Sequence, residues 1–192
     1  MRLDAAFHSA IREYLVAKRD GDAADVEKEW KSVKTKEWKE YNIDEARVTE
    51  DGLRLGKELS LWTNKEFSGP IEIHLIAKTE SENIRIHAYQ GACVIFNWEI
   101  NPKELRVHRP DGKDERATGT IATAKVTPLK PKVWHRIKWV ITSKGMKIYA
   151  DEQLVFSEVK VYDLSKRKII AVGAANSAID IKEFRVLSIT DK

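Results

Sequence analysis

Four runs of sequence decide the fold: Pro70-Ile-Glu-Ile-His-Leu-Ile-Ala-Lys78, Asn83-Ile-Arg-Ile-His-Ala-Tyr89, Gly91-Ala-Cys-Val-Ile-Phe-Asn-Trp-Glu99 and Glu104-Leu-Arg-Val-His-Arg109. In each run apolar and polar residues alternate with a period of two, which is typical of a β-strand with one buried and one exposed face. If the four strands are neighbours, the alternation predicts one sheet with an apolar side against the core. The residues predicted for that side are Ile71, Ile73, Leu75, Ile84, Ile86, Val94, Phe96, Trp98, Leu105 and Val107.

The opposite face of this predicted sheet is rich in hydrogen-bonding groups, and it is the candidate ligand site. The residues predicted to bind a ligand there are His74, Arg85, His87, Tyr89, Asn97, Glu99, Arg106 and His108. Arg, Asn and Glu side chains offer planar, paired hydrogen-bonding groups that suit a polyhydroxylated ligand. The same residues could instead form a solvated sheet face whose cross-strand ion pairs contribute only about 0.2–1 kcal/mol each. Three histidines on one face also leave a metal site open, although strand periodicity alone does not make them converge.

Composition excludes several classes of function. The chain has 192 residues with 42% hydrophobic and 33% charged residues, so it is long and apolar enough to bury a core. The net charge is only +4, and no basic stripe with interleaved aromatics is present, so no nucleic-acid partner is expected. The sequence contains no apolar run long enough to span a membrane and no evident secretory signal. The single cysteine, Cys93, cannot form an internal disulfide, and the compartment is left open, including an extracytoplasmic one or a place in a longer chain.

Residues 1–37 are predicted to form a helical arm or linker, separate from a β-domain at residues 38–192. The arm consists of two mostly polar helices, the second with an apolar stripe of Val26, Trp30 and Val33 at helical spacing. This stripe could dock on a protein partner or on a second copy of the chain.

The β-domain is predicted to contain eleven or more short strands separated by turn signals such as Asp51-Gly52 and Lys144-Gly145. There is no alternation of strands with helices, so a parallel sheet is not expected. The prediction is an all-β fold, an antiparallel sandwich or barrel.

The second half of the chain resembles a known superfamily. The pattern is Trp134-His-Arg-Ile-Lys-Trp-Val-Ile-Thr142, then Gly145-Met-Lys-Ile-Tyr-Ala-Asp151, then Leu154-Val-Phe156, Ile170-Ala-Val-Gly173 and Phe184-Arg-Val-Leu187. It resembles the concanavalin A-like lectin/glucanase superfamily, most closely its laminin-G-like and 3-keto-disaccharide-hydrolase-like jelly rolls. Asp151 is followed by Glu152 where those families commonly have Gly. The resemblance covers residues 42–189 and implies a jelly-roll sandwich of two curved antiparallel sheets, with ligands usually bound on the concave sheet.

The resemblance leaves three functions open. The first is a non-catalytic carbohydrate-binding or adhesion-type module, with Arg136 and Trp134 at the rim of the polar face. The second is a glycoside hydrolase or lyase-like enzyme, for which Glu99 and Glu104 are weak catalytic candidates. Retaining hydrolysis needs two carboxyl groups about 5–5.5 Å apart, and here Pro102 interrupts the strand between them. The third is a structural or protein-interaction domain that docks through the helical arm.

Calcium and the tryptophans complete the candidate features. Asp111 and Asp114 in the polar loop at residues 110–119 raise the possibility of calcium, but their spacing matches no calcium-loop signature, so no cofactor is expected.

Trp98 and Trp139 are predicted to pack in the core. Trp62 could lie exposed at a sheet edge, where an indole can stack on a sugar ring.

Overall fold

The computed structural model describes residues 46–49, 52–57, 59–63, 66–112 and 119–191. Within these ranges the protein is built of β-strands, and its one helical element is a single 3-10 turn at Tyr89–Gly91. No described helix has the length and hydrophobicity needed to cross a membrane.

The predicted helical arm at residues 1–37, with its Val26, Trp30 and Val33 stripe, lies outside the described residues. Asp114 lies outside them as well. The arm and the domain boundary at residue 38 therefore stay predictions.

The described strands form two antiparallel sheets, which confirms the predicted sandwich. The seven-stranded sheet has the order β1 (Ala46–Thr49), β2 (Gly52–Leu55), β13 (Ile179–Ser188), β4 (Ile71–Thr79), β9 (His135–Thr142), β10 (Gly145–Ala150) and β11 (Gln153–Val159). The six-stranded sheet has the order β3 (Ser60–Trp62), β12 (Ala171–Gly173), β5 (Ile84–His87), β6 (Cys93–Phe96), β7 (Glu104–His108) and β8 (Ile121–Lys125). The chain passes repeatedly from one sheet to the other, as in a jelly roll.

The core lies between the sheets and is filled by the alternate apolar residues of both. Strand β4 shows the alternation most clearly, because Ile71, Ile73 and Leu75 are buried while the residues between them are half-exposed. Trp139 on β9 is fully buried, which confirms its predicted place in the core. Burying an apolar side chain of this size stabilises a fold by about 1.5–3 kcal/mol, so the alternation is a strong determinant of which face points inward.

One premise of the sequence analysis is wrong: β4 is not a neighbour of β5. Strand β4 pairs with β13 and β9 in the seven-stranded sheet, whereas β5, β6 and β7 pair with one another in the six-stranded sheet. The turn at residues 80–83, where Thr79 Oγ1 donates a hydrogen bond to Glu82 O at 2.6 Å, carries the chain across the sandwich. The apolar sides of β4 and β5 therefore meet in the core, and their polar sides point to opposite surfaces.

A second difference concerns the end of β6. Asn97 has a left-handed backbone conformation, with φ of 50°, and this breaks the period-two alternation after Phe96. As a result Trp98 does not continue into the core. It is half-buried, and its ring contacts Arg106 instead.

Candidate functional site

The outer face of the six-stranded sheet, hereafter the six-stranded face, collects most of the predicted ligand-binding residues. The strand register places its side chains in two rows that run across the strands. The first row contains Trp62, Ala171, His87, Cys93, His108 and Ile121. The second row contains Ser60, Gly173, Arg85, Ile95, Arg106 and Thr123. Since adjacent strands are about 4.8 Å apart, the two arginines, like the two histidines, stand roughly 10 Å apart.

Arg85 is held in place by a carboxylate and an amide. Its Nη2 donates to Glu99 Oε1 at 2.8 Å and its Nε donates to Asn83 Oδ1 at 3.2 Å. Asn83 is fully buried and donates from Nδ2 to Glu99 Oε2 at 3.1 Å. The three side chains form a closed network in which Glu99 balances the charge of Arg85 and accepts a hydrogen bond on each oxygen.

Arg106 is held differently. Its guanidinium carbon lies 4.3 Å from the centroid of the Trp98 ring, and its Nε donates to His108 Nε2 at 3.2 Å. It forms no ion pair with a carboxylate in the described part of the chain. A cation stacked on an indole is stabilised by about 0.5–2 kcal/mol, so the group is fixed in position while its charge stays unbalanced.

Two N–H groups on the same face are buried without a hydrogen-bond partner. His108 accepts from Arg106 at Nε2, so this network assigns the proton of the neutral ring to Nδ1. Both this Nδ1 and the indole Nε1 of Trp62 are buried, and neither has a hydrogen-bond partner. A buried polar group left unpaired costs about 1–3 kcal/mol, and such groups call for an explanation.

Both histidines of the face are neutral at pH 7. Desolvation by the surrounding protein, followed by the positive charges of Arg85 and of His108, lowers the pKa of His87 to about 4. Desolvation and then the charges of Arg106 and Arg85 lower the pKa of His108 below its ordinary value. The face therefore carries two fixed guanidinium groups in one row and two uncharged imidazoles in the adjacent row.

Cys93 lies between the two histidines and is buried. Burial raises the pKa of its thiol to about 12, and its Sγ is 3.9 Å from His87 Nε2. A thiol that stays protonated is not an activated nucleophile.

Two of the predicted ligand-binding residues are structural. Tyr89 is fully buried in the 3-10 turn, and its hydroxyl donates to Gly69 O at 2.9 Å. Asn97 is buried beside Leu129, donating from Nδ2 to its carbonyl oxygen and accepting at Oδ1 from its N–H, both at 2.7 Å. All hydrogen-bonding groups of the Asn97 side chain thus point into the protein, so the prediction that these two residues face a ligand is wrong.

A third predicted residue lies on the wrong sheet. His74 is on the outer face of the seven-stranded sheet, where its Nε2 is 2.7 Å from Glu72 Oε1. The two residues expected at the rim, Trp134 and Arg136, belong to the same outer face. Arg136 lies opposite Ile76 of β4, and the ammonium group of Lys78 on β4 is 4.7 Å from the centroid of the Trp134 ring. None of the three can contribute to the six-stranded face.

The weak catalytic candidates do not form an evident acid–base pair. Glu99 is engaged with Arg85 and Asn83, as described above. Glu104 lies on β7 directly opposite Lys125 of β8. Arrangements of this kind suit carboxylates that orient or balance cations rather than groups that transfer protons.

The proposed calcium ligand Asp111 is occupied by protein partners. It accepts hydrogen bonds from the Thr120 N–H at 2.6 Å and hydroxyl at 2.5 Å, and Lys160 Nζ is 2.9 Å away. Among the described residues no three His, Cys, Asp or Glu side chains are arranged to hold a metal ion.

Two hollows lie on the other sheet. One, of about 990 Å³, is lined by residues that include Thr142, Lys147 and Ser157, and a second, of about 370 Å³, includes Tyr149 and Arg185. The Tyr149 ring in the second hollow is covered by the ammonium group of Lys138 at 4.6 Å. The 990 Å³ hollow favours the seven-stranded sheet, but a hollow of about 460 Å³ that includes Glu104 and Thr123 lies on the six-stranded sheet. We prefer the six-stranded face, because the fixed Arg106 cation and the unpaired N–H of His108 lie side by side there.

Sequence reasoning missed the residues that complete the six-stranded face. Ile95 lies between Arg85 and Arg106, and it is apolar although it occupies an outward position of β6. Ala171 and Gly173 on β12 separate Trp62 and Ser60 from β5. An apolar residue out of phase in the Val94-Ile95-Phe96 run was the one available signal for Ile95, whereas the pairing of β12 with β5 had no local signal.

No protein-family model matches this sequence, and no curated protein matches it significantly. Solved structures do match in fold. The VIP36 exoplasmic/lumenal domain in its Ca2+/Man-bound form has a TM-score of 0.60 at 11% identity, with 77% of this chain and 82% of that chain covered. The carbohydrate-binding module CBM66 from Bacillus subtilis matches with a TM-score of 0.54 at 10% sequence identity. The match covers 74% of this chain and 91% of that chain.

A putative glycosyl hydrolase from Parabacteroides distasonis has a TM-score of 0.52 at 15% identity, covering 78% of this chain and 92% of that chain. Together with the two antiparallel sheets, these likenesses define the fold as a concanavalin A-like jelly roll. At such low identity they define the fold alone, because this fold carries several unrelated functions.

Proposed function

We propose that the protein is a non-catalytic carbohydrate-binding or adhesion-type module, and that its ligand lies on the six-stranded face. The observation that carries the proposal is the fixed Arg106 guanidinium, stacked on Trp98 and bonded to His108. A side chain that is already held in one geometry loses little conformational entropy when it binds a ligand. Its two Nη groups remain able to donate to a saccharide oxygen.

The composition of the face supports a sugar rather than a fully apolar ligand. Ile95, which is 6% exposed, fills the space between the two arginines, and Ser60 and Thr123 provide hydroxyl groups in the same row. Sugars present both hydroxyl groups and apolar C–H surfaces, so an alternation of donors with apolar side chains suits them.

The fold neighbours support the same ligand class. One is described as a carbohydrate-binding module and another in a mannose-bound form. A catalytic role is less well supported, because Glu99 is committed to holding Arg85.

The test is a glycan array on the full chain, followed by calorimetric titration of any glycan that binds. Arg106→Gln is expected to weaken binding by roughly 10- to 150-fold, since hydrogen bonds to a charged group contribute about 1.5–3 kcal/mol. Arg136→Gln and Lys147→Gln on the seven-stranded sheet remove the same charge and are expected to leave binding unchanged. Unfolding midpoints of all variants separate loss of binding from loss of fold.

Two results would overturn the proposal. An array without any bound glycan contradicts the function. Binding that is lost in Lys147→Gln and kept in Arg106→Gln places the site on the seven-stranded sheet and contradicts the location.

A further inference from the structure

The two arginines of the six-stranded face differ in charge balance although they occupy equivalent positions. Arg85 and Arg106 flank Ile95 in one row. Arg85 is neutralised by Glu99 at 2.8 Å. Among the described residues, the hydrogen-bond and ring partners of the Arg106 guanidinium are an imidazole nitrogen and an indole ring, with no carboxylate. Only one of the two guanidinium groups therefore presents a net positive charge to a ligand.

We propose that Arg106 is the receptor for an acidic group, and that the ligand is an anionic saccharide carrying carboxylate or sulfate. This inference rests on the proposed function and names its ligand class. Arg is well suited to the role, because its planar fork can donate two parallel hydrogen bonds to a carboxylate or sulfate. Stacking on Trp98 fixes the plane of that fork in advance.

The unpaired groups of the face point to the same chemistry, because they are all donors. His108 Nδ1 and Trp62 Nε1 are buried N–H groups without partners. His108 lies on β7 beside Arg106, whereas Trp62 lies on β3, four strands away in the same sheet. An oxyanion can only accept hydrogen bonds, so it is complementary to an excess of donors.

A neutral saccharide is less complementary to this excess of hydrogen-bond donors. Each sugar hydroxyl donates as well as accepts, so it needs acceptors on the protein. Among the acceptors beside the rows, Glu99 and Asn83 are engaged with Arg85, and Glu104 lies opposite Lys125 of β8. The hydroxyl groups of Ser60 and Thr123 remain for the sugar part of the ligand.

The first experiment compares saccharides of equal length and different charge by calorimetric titration on the full chain. The probes are oligogalacturonate, its fully methyl-esterified neutral form, non-sulfated chondroitin oligosaccharides and chondroitin sulfate oligosaccharides. We expect at least one acidic form to bind about tenfold or more tightly than the neutral ester, with affinity that falls as salt rises. The galacturonate and sulfate arms distinguish a carboxylate from a sulfate as the recognised group.

The second experiment assigns the preference to Arg106. Arg106→Gln should abolish the difference between the acidic and the neutral forms, and Arg106→Lys should keep part of it. Arg136→Gln is the matched control, since it removes one positive charge from the opposite surface. Glu99→Gln should raise affinity for the acidic form by roughly threefold or more, because it leaves the charge of Arg85 unbalanced.

The outcomes separate the two proposals. Equal binding of the acidic and neutral forms overturns the anionic ligand and leaves the carbohydrate-binding function in place. If Arg106→Gln and Arg136→Gln weaken binding of the acidic form equally, the anionic-ligand proposal is also overturned. The loss would then come from the overall positive charge of the protein and not from Arg106. If neither these probes nor any glycan of the array binds, the proposed function fails together with the inference.

Discussion

Replacing Asn97 tests whether this residue is structural, as its contacts indicate, or faces a ligand, as its place in the sequence predicted. In Asn97→Ala the N–H and the carbonyl oxygen of buried Leu129 both lose their partner. Each unpaired group costs about 1–3 kcal/mol. Alanine at a φ of 50° adds about 1 kcal/mol, because an L-residue with a Cβ disfavours the left-handed region. The expected loss is therefore about 3–7 kcal/mol, a large part of the 5–15 kcal/mol typical of a domain.

The assay is urea unfolding followed by tryptophan fluorescence, with thermal unfolding as a second measurement. A loss of about 3–7 kcal/mol lowers the melting temperature of a chain of this length by about 6–28 °C. Asn97→Gly is the matched control, because glycine accepts the left-handed conformation but restores no hydrogen bond. It should be more stable than the alanine variant by about 1 kcal/mol.

Two results would refute this reasoning. The first is a loss below about 1 kcal/mol in Asn97→Ala, since two unpaired buried groups require more. The second is a large loss of saccharide affinity at temperatures where the variant is still folded. That result would return Asn97 to the ligand site.

Two further predictions concern a turn and a histidine. Asp151 and Glu152 have φ values of 48° and 69°. Glycine adopts this left-handed conformation without strain, so Glu152→Gly should stabilise the protein by about 1 kcal/mol in urea unfolding. The control Glu152→Ala should give no such gain. His87 has a pKa lowered to about 4 by desolvation and then by Arg85 and His108, and the unfolded ring titrates near about 6.5. Because the unfolded state binds more protons between these two values, stability should fall as pH drops from about 6.5 to 4 and be independent of this group above that window. His87→Gln should reduce the stability lost between pH 7 and pH 4.5. An unchanged loss would mean that the His87 ring titrates as it does in water. Because the ring is exposed, the expected effect is modest.

The alternation of residues made the fold predictable, and the same signal was insufficient for the site. Period-two runs with turn residues between them correctly predicted antiparallel strands and the inward positions of β4, β5 and β7, such as Ile73 and Val107. Alternation states which side of a strand is apolar, but not which sheet the strand joins. His74 therefore had the correct parity and was assigned to the wrong surface, because the turn after Thr79 crosses the sandwich.

The remaining errors at the site arise from backbone geometry and long-range contacts. Asn97 and Trp98 were assigned by continuing the alternation of β6, and one residue with positive φ ended it. The pairing of Arg85 with Glu99 joins residues 14 positions apart through a side-chain network that strand periodicity does not encode. In contrast, Arg85, His87, Arg106 and His108 lie within regular strands, so the sequence predicted on which side of its strand each one lies. The pairing of β5, β6 and β7 then brings the four residues to one face.

The sequence by itself determined that this chain is an all-β sandwich, and on which side of each strand its arginines and histidines lie. The reason is local, since apolar burial acts on every second residue of a strand. Only the tertiary structure decided which polar sides share a surface, and that Glu99 balances Arg85 while Arg106 keeps its charge. These features depend on which distant strands pair, and strand pairing is a property of the folded chain as a whole.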